Sequence, residues 1–264
     1  MRTIVMLNEK GGVGKTTTAV NVAYNLADYK KNVWLIDYDG SFNATTHLDV
    51  EVLDNTKTSW DLQNGTYKPN DLINVSWKEY NNNSIMFVPS DQRLRSANAY
   101  SFGVELNLKR GLDKLIKDWI KEGKTAPDYI IIDSCPTQSV IQAMSILAAS
   151  EIFLITQCQF LSLEGMRIMI DKIKEHHKTS VYKPALTGII ATMKSNTNLS
   201  GSVLEKIEQS KLKRFLFNTK IRYNTSIAEA PAHGLPVNLS SPNSFGAEDY
   251  RNLVKDIIKR GAEK

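Results

Sequence analysis

Lys10-Gly11-Gly12-Val13-Gly14-Lys15-Thr16-Thr17 is the stretch whose reading decides the fold of this chain, because of what stands on either side of it. Residues 3–7 before it form a short apolar run. Residues 16–29 after it carry Ala19, Val22, Ala23, Leu26 and Ala27 at helical spacing. A glycine-rich loop between a buried strand and a helix is the setting a phosphate-binding loop requires. Its glycines let backbone N–H groups converge as a nest for phosphate oxygens. Lys15 is placed to reach the β- and γ-phosphates as a point charge, and the helix that follows adds the positive end of its dipole. The Thr16 hydroxyl is placed to ligate Mg²⁺. The usual loop begins with a glycine where this chain has Asn8 or Glu9, and a second lysine, Lys10, stands inside it.

Further strand-like runs occur at 32–37, 84–88, 129–132, 151–156 and 185–192, interleaved with helical patterns such as 106–121. These runs are continuously apolar rather than alternating, which implies burial on both faces. The pattern predicts an α/β fold, a doubly wound and mostly parallel sheet flanked by helices. In such a fold the working edge is formed by the carboxyl ends of the strands, where Asn8, Asp37 and Asp133 fall. No repeat or low-complexity linker divides the chain, and the Asn81-Asn82-Asn83 run reads as a loop, so a single domain over 1–264 is expected.

Composition sets outer bounds. Of the 264 residues 42% are hydrophobic and 23% charged, as in an ordinary globular α/β protein. Two cysteines, Cys135 and Cys158, are too few for a disulfide framework or a zinc site and read as reduced thiols. No signal peptide is visible, and no run approaches the roughly 20 apolar residues needed to span a bilayer. A soluble, cytoplasmic protein is expected. The formal charge of +5 is compatible with nucleic acid or an anionic membrane surface and does not choose between them.

Two carboxylates, Asp37 and Asp39, close the second strand in Ile36-Asp37-Tyr38-Asp39-Gly40-Ser41-Phe42-Asn43-Ala44-Thr45. At i and i+2 beyond a strand both can face the crevice, one on the water shell of a metal and the other on an attacking water. Asp133 ends the run Asp128-Tyr129-Ile130-Ile131-Ile132-Asp133 and is placed to hold Mg²⁺ through water. His47, His176, His177 and His233 are scattered and read as solvent-exposed or turn residues. No histidine lies in the motif around Cys135, which is expected to pack beneath the sheet end.

Lys-Gly-Gly-Val-Gly-Lys-Thr-Thr-Thr at 10–18 resembles the deviant Walker A signature of the ParA/MinD family of ATPases. The resemblance implies that Lys10 is the signature lysine, which in that family reaches across an ATP-sandwich dimer to the phosphates of the opposite subunit. Residues 37–45 are similar to the family's D-x-D-P-Q-G-N-A-T, which carries the hydrolytic role to Asp39 and the metal or switch role to Asp37. Here Gly40, Ser41 and Phe42 replace Pro, Gln and Gly. Glu229-Ala230-Pro231-Ala232-His233-Gly234 looks like the E-A-P-x-H-G segment of the ParA partition branch, and Ser244-Phe245-Gly246-Ala247-Glu248-Asp249-Tyr250 matches S-x-G-A-x-x-Y. The likeness runs almost end to end.

What the resemblance implies is a cytoplasmic, nucleoid-associated partition ATPase using ATP and Mg²⁺. It would dimerise on ATP, bind non-specific DNA, and be released when a ParB-like centromere-binding adaptor stimulates slow hydrolysis. In the family's I-P-R-N the Pro and Asn meet the nucleoside; Arg222 stands at the Pro and Asn224 keeps the Asn. The two arginines that the family uses for DNA correspond to Tyr223 and Ser226. Lys206, Lys211, Lys213, Arg214, Lys220 and Arg222 supply positive charge instead. The alternative is a MinD-like ATPase that binds membrane through its C-terminus, where Tyr250, Leu253, Val254, Ile257 and Ile258 form an apolar stripe. That stripe is expected to pack on the core, so no membrane partner is expected. A third reading, an iron–sulfur reductase, needs paired cysteines that Cys135 and Cys158 do not match.

Overall fold

Every residue of the first strand but Arg2 is buried, and around that strand the chain winds a sheet. The computed structural model describes residues 1–96, 104–136, 139–159 and 162–262. In chain order the elements are β1 (Arg2–Leu7), α1 (Lys15–Asp28), β2 (Val33–Tyr38), α2 (Asn43–His47) and α3 (Ser59–Gln63). There follow β3 (Ile73–Ser76), β4 (Ser84–Val88), α4 (Asn107–Lys121), β5 (Tyr129–Ser134) and α5 (Val140–Ala148). The second half holds β6 (Glu151–Gln157), α6 (Ser162–Thr179), β7 (Ala185–Thr192), α7 (Asn198–Glu208), α8 (Thr225–Glu229), α9 (Val237–Ser240) and α10 (Phe245–Ala262).

The strands form one seven-stranded sheet in the order β3-β4-β2-β5-β1-β6-β7. All neighbouring pairs are parallel except β3 with β4. Two apolar layers sandwich the sheet, because successive side chains on a strand point to opposite faces. On one face Val5, Leu7, Ile36, Ile130 and Leu154 pack with Leu112 and Leu115 of α4, Met144 of α5 and Met169 of α6. On the other, Ile4, Met6, Leu35, Ile131 and Ile155 pack with Val22 and Leu26 of α1 and Leu253 and Ile257 of α10. The doubly wound parallel sheet expected from the sequence is the fold observed.

The C-terminal stripe is spent in this second layer: Tyr250, Leu253, Val254 and Ile257 are at most 1% exposed. No helix among the described residues is long and apolar enough to cross a membrane. Parallel pairing has one consequence for the site. It sets the carboxyl ends of β1, β2, β5, β6 and β7 along one edge, where the loops after them meet.

Candidate functional site

The loop after β1 enters α1 through Gly14, whose φ of 89° is a left-handed conformation that glycine adopts without steric cost. The helix that begins there turns its first N–H groups back toward the loop. The loop is braced from neighbouring strand ends. Gln157 at the end of β6 donates Nε2 to the Gly12 carbonyl at 2.8 Å, and Thr192 at the end of β7 donates Oγ1 to the Val13 carbonyl at 2.8 Å. Asn8 donates its side-chain amide to the Ile155 carbonyl at 2.6 Å and accepts from the Lys10 backbone N–H at 2.8 Å. Lys10 itself is exposed, its Nζ 3.3 Å from Gln157 Oε1 and 3.4 Å from Gln159 Oε1. Glu9, in place of the usual glycine, forms an ion pair with Lys172 of α6.

Beyond this loop lies a cleft of about 470 Å³ lined by Gly12, Lys15, Thr16, Thr17, Asp39 and Met193, among others. A second, more apolar cavity of about 200 Å³ shares Gly14, Thr17, Met193 and Pro231 with it and extends past Ile221, Tyr223, Asn224 and Ile227. A polar chamber over the helix start and an adjoining apolar one match the two ends of a nucleotide.

Register brings the acids together. In the β2–β5 pairing Asp37 lies opposite Asp133, at the adjacent carboxyl ends of the two strands. Both are wholly buried. Asp37 accepts the Thr45 backbone N–H at 2.8 Å and the Thr45 hydroxyl at 2.7 Å on Oδ2, and the Asp39 N–H at 3.2 Å on Oδ1. Burial outweighs these bonds and pushes Asp37 up to about 6. Neither Asp133 oxygen accepts a hydrogen bond of good geometry, the Thr16 hydroxyl only approaching it. Burial, reinforced by the nearby Asp37, raises it well above the usual carboxylate range, with Thr16 and Lys15 opposing. Burial also lowers the buried Lys15, against the pull of Asp133 and Asp39. Its Nζ lies 3.3 Å from the Lys10 carbonyl.

Orphaned buried carboxylate oxygens fit a divalent cation, whose charge favours the ionised acids. Among the described residues no group of three or more His, Cys, Asp or Glu side chains could hold a metal by itself. A cation here would therefore complete its shell with the Thr16 hydroxyl, water and phosphate oxygens, as Mg²⁺ commonly does.

Asp39 follows at the mouth of the cleft, 6% exposed, with Oδ1 accepting from the Ser41 N–H at 3.0 Å. Phe42, three residues on, takes a φ of +60° where the resembled pattern has glycine, a conformation costing about 1–2 kcal/mol for an L-residue. Asn224 caps α8 by accepting the Ser226 N–H at 2.9 Å and lines the apolar cavity.

Two residues depart from the expected setting. Arg222 borders the apolar cavity, but its guanidinium turns to α10. Its Nη2 lies 2.6 Å from Asp249 Oδ1 and 2.7 Å from Glu248 Oε2, and its plane covers the Phe245 ring. Its charge is thus already paired with these two acids. His47 is not a solvent-exposed histidine: it is 2% exposed, with Nε2 3.1 Å from the Leu235 carbonyl, and burial lowers its pKa.

The remaining cations sort by environment. Lys206 at the end of α7, with Lys211, Lys213 and Arg214 on the turn Lys211–Phe215, is exposed, whereas Lys220 pairs with Glu208 at 3.6 Å. Cys135 and Cys158 are both buried thiols.

Several site residues escaped the sequence reading. Gln157 and Thr192 end parallel strands, and the rule that singled out Asp37 and Asp133 could have found them. Ser90 and Arg95, which touch the Asp39 loop, carry no local signal.

Comparison with known proteins fits this geometry. A family model described as an AAA domain matches residues 1–187. The chain is 30% identical over 262 residues to the sporulation initiation inhibitor protein Soj of Bacillus subtilis (strain 168), covering 98% of each. It is 29% identical over 264 residues to the chromosome-partitioning ATPase Soj of Treponema pallidum (strain Nichols), covering 100% of this chain and 99% of that one. Among solved structures, an ATP complex of Cyanothece McdA superposes with a TM-score of 0.83 at 21% identity, covering 99% of this chain and 96% of that one.

Proposed function

Because this chain belongs to the Soj/ParA family of partitioning ATPases, we propose that it works as a Mg·ATP-dependent switch that moves a plasmid or chromosome. In this reading ATP assembles a sandwich dimer that holds DNA without sequence preference. A ParB-like adaptor stimulates hydrolysis and releases it. The observation that carries the proposal is the buried, unsatisfied Asp133 carboxylate, set beside Asp37 at the edge of a phosphate cradle containing Lys15 and Thr16.

The residues divide the work by position. The backbone from Lys10 to Thr17 cradles phosphate oxygens, with Lys15 as the fixed charge. Thr16, Asp37 and Asp133 would hold Mg²⁺, which when bound neutralises charge on the β- and γ-phosphate oxygens. Asp39, at the cleft mouth, orients the attacking water. Lys10 is exposed at the tip of the loop, where its side chain can reach a second subunit. Asn224 and the apolar wall of Ile221, Tyr223 and Ile227 would receive the nucleoside. Lys206, Lys211, Lys213 and Arg214 offer the exposed charge for DNA phosphates.

The test is retention on non-specific duplex DNA with ATP plus Mg²⁺ against ADP, across about 50–200 mM salt. ATP-dependent retention that falls steeply with salt is expected. Equal retention with ATP and ADP, or none with either, removes DNA from the proposal. The companion measurement is Asp39→Ala, which should trap the ATP dimer by stopping turnover; wild-type hydrolysis by that variant removes Asp39 from its role.

A further inference from the structure

The loop Asp39–Phe42 departs from the resembled pattern at three consecutive positions, yet its backbone is held at every step. The Asp39 N–H donates to Asp37 Oδ1 at 3.2 Å, and the Asp39 carbonyl accepts the Ser90 hydroxyl at 2.6 Å. One residue on, the Gly40 carbonyl accepts Arg95 Nε at 2.7 Å. Ser90 is fully buried and also donates its N–H to Thr45 Oγ1 at 3.0 Å, and that same hydroxyl donates to Asp37 at 2.7 Å. The chain from Ser90 to Thr45 to Asp37 to Asp39 thus closes on itself, with Arg95 bracing the next peptide.

Two features tie this arrangement to the departures. A Cβ at position 40 would lie 2.7 Å from Arg95 Cγ and 3.0 Å from its backbone N, so only glycine admits the Arg95 stem. A proline at 40, as in the resembled pattern, would collide with it. At Phe42 the chain accepts a left-handed φ of +60° without glycine, a strained conformation that persists only where the surroundings over-determine it. Arg95 and Ser90 hold the two peptides that lead into it, at Gly40 and Asp39, and the Phe42 N–H itself donates back to the Asp39 carbonyl at 2.9 Å.

We propose that Ser90 and Arg95, both on the segment that follows β4, are positioning residues that hold the Asp39 loop in its hydrolytic geometry. The proposal rests on the reading of Asp39 as the residue that orients the attacking water. Neither residue meets the reacting atoms. Ser90 fixes the carbonyl of Asp39 and Arg95 that of Gly40, so that the Asp39 carboxylate faces the cleft without having to be ordered at each turnover.

Three variants test this: Arg95→Ala, Arg95→Lys and Ser90→Ala, with Asp39→Ala as reference background. Arg95→Ala should lower kcat by about tenfold while leaving the affinity for an ATP analogue within twofold, as expected when one positioning bond is lost. Arg95→Lys restores a donor and should recover most of the loss. In the Asp39→Ala background Arg95→Ala should change residual turnover less than twofold, because its effect passes through Asp39. Hydrogen exchange reads the brace independently of catalysis: the Ser41 and Phe42 amides, bonded to Asp39 Oδ1 and to the Asp39 carbonyl, should exchange about tenfold faster in Arg95→Ala and Ser90→Ala.

Unchanged exchange at these amides overturns the proposal whatever the kinetics. So does faster exchange with wild-type kcat, or a loss confined to nucleotide affinity. Normal turnover by Asp39→Ala alone instead removes the water-orienting reading, while the exchange data still decide whether the brace exists.

Discussion

Arg222 and Asp249 meet in a two-pronged pair, with Nε 2.9 Å from Oδ2 and Nη2 2.6 Å from Oδ1, and the Arg222 backbone N–H donates to the same Oδ2 at 2.9 Å. Asp249 is only 5% exposed, so one buried carboxylate ties the segment after β7 to α10. This segment walls the apolar cavity, and the pair therefore holds a site wall in place.

Removing the carboxylate should consequently cost stability. Asp249→Ala removes the buried acceptor of the half-buried Arg222 N–H and should lower unfolding free energy by about 1–3 kcal/mol, read from urea midpoints at constant slope. A midpoint equal to wild type would mean that Glu248, or water, takes over the bond.

DNA retention should depend on the other cations. Replacing Lys211, Lys213 and Arg214 by alanine should flatten the salt dependence of retention by up to about 0.9 log units per lost phosphate contact. Arg222→Ala should leave that slope unchanged, since its charge is already balanced by Asp249 and Glu248. The reverse ranking would restore Arg222 to the DNA surface.

The two lysines of the phosphate loop should separate by assay. Lys15→Ala removes the buried charge of the cradle and should abolish nucleotide binding. Lys10→Ala leaves the cradle intact and should keep binding within a few-fold while eliminating the ATP dimer in light scattering. A persistent ATP dimer in Lys10→Ala would mean that this lysine does not complete the neighbouring site.

How much of this was legible beforehand varies with the length of the element. The strands at 84–88 and 185–192 are legible with the observed bounds, because apolar and β-branched residues dominate each between polar segments. β3 was missed: its four residues alternate between half-buried and exposed at the antiparallel edge, too short a pattern to register. The helices α2, α3, α8 and α9 have only four or five residues each, little more than one turn, and periodicity cannot reveal them. At the site, the glycine loop and the strand-end aspartates announce themselves, whereas the partners of Asp39 come from fifty residues away and are set by packing alone.

His47 shows what such packing conceals, and it makes a pH prediction. Burial lowers its folded pKa below the unfolded value of about 6.5, so between the two the unfolded chain binds more protons. Stability from this residue is present above about pH 6.5 and is lost as the pH falls toward the folded pKa. Asp37, raised to about 6, and Asp133, raised well above the carboxylate range, act in the opposite sense, favouring the fold as acid is added. The histidine is therefore isolated by comparing variant with wild type, between about pH 6 and 7. His47→Gln should flatten the decline in melting temperature over that interval, and an undiminished decline would assign it to another group.

β1 precedes every other strand of the sheet in the chain and yet lies near the middle of it, between β5 and β6. Neither neighbour exists until more than a hundred residues have followed it. At typical translation rates that interval is on the order of ten seconds. For all of it, the apolar segment Thr3-Ile4-Val5-Met6-Leu7 is without the strands that will cover its edges. The Val13 carbonyl waits longer still, for Thr192 at the end of β7. In the growing chain the phosphate cradle is thus made before the strands that brace it, and its last brace arrives only with the end of β7.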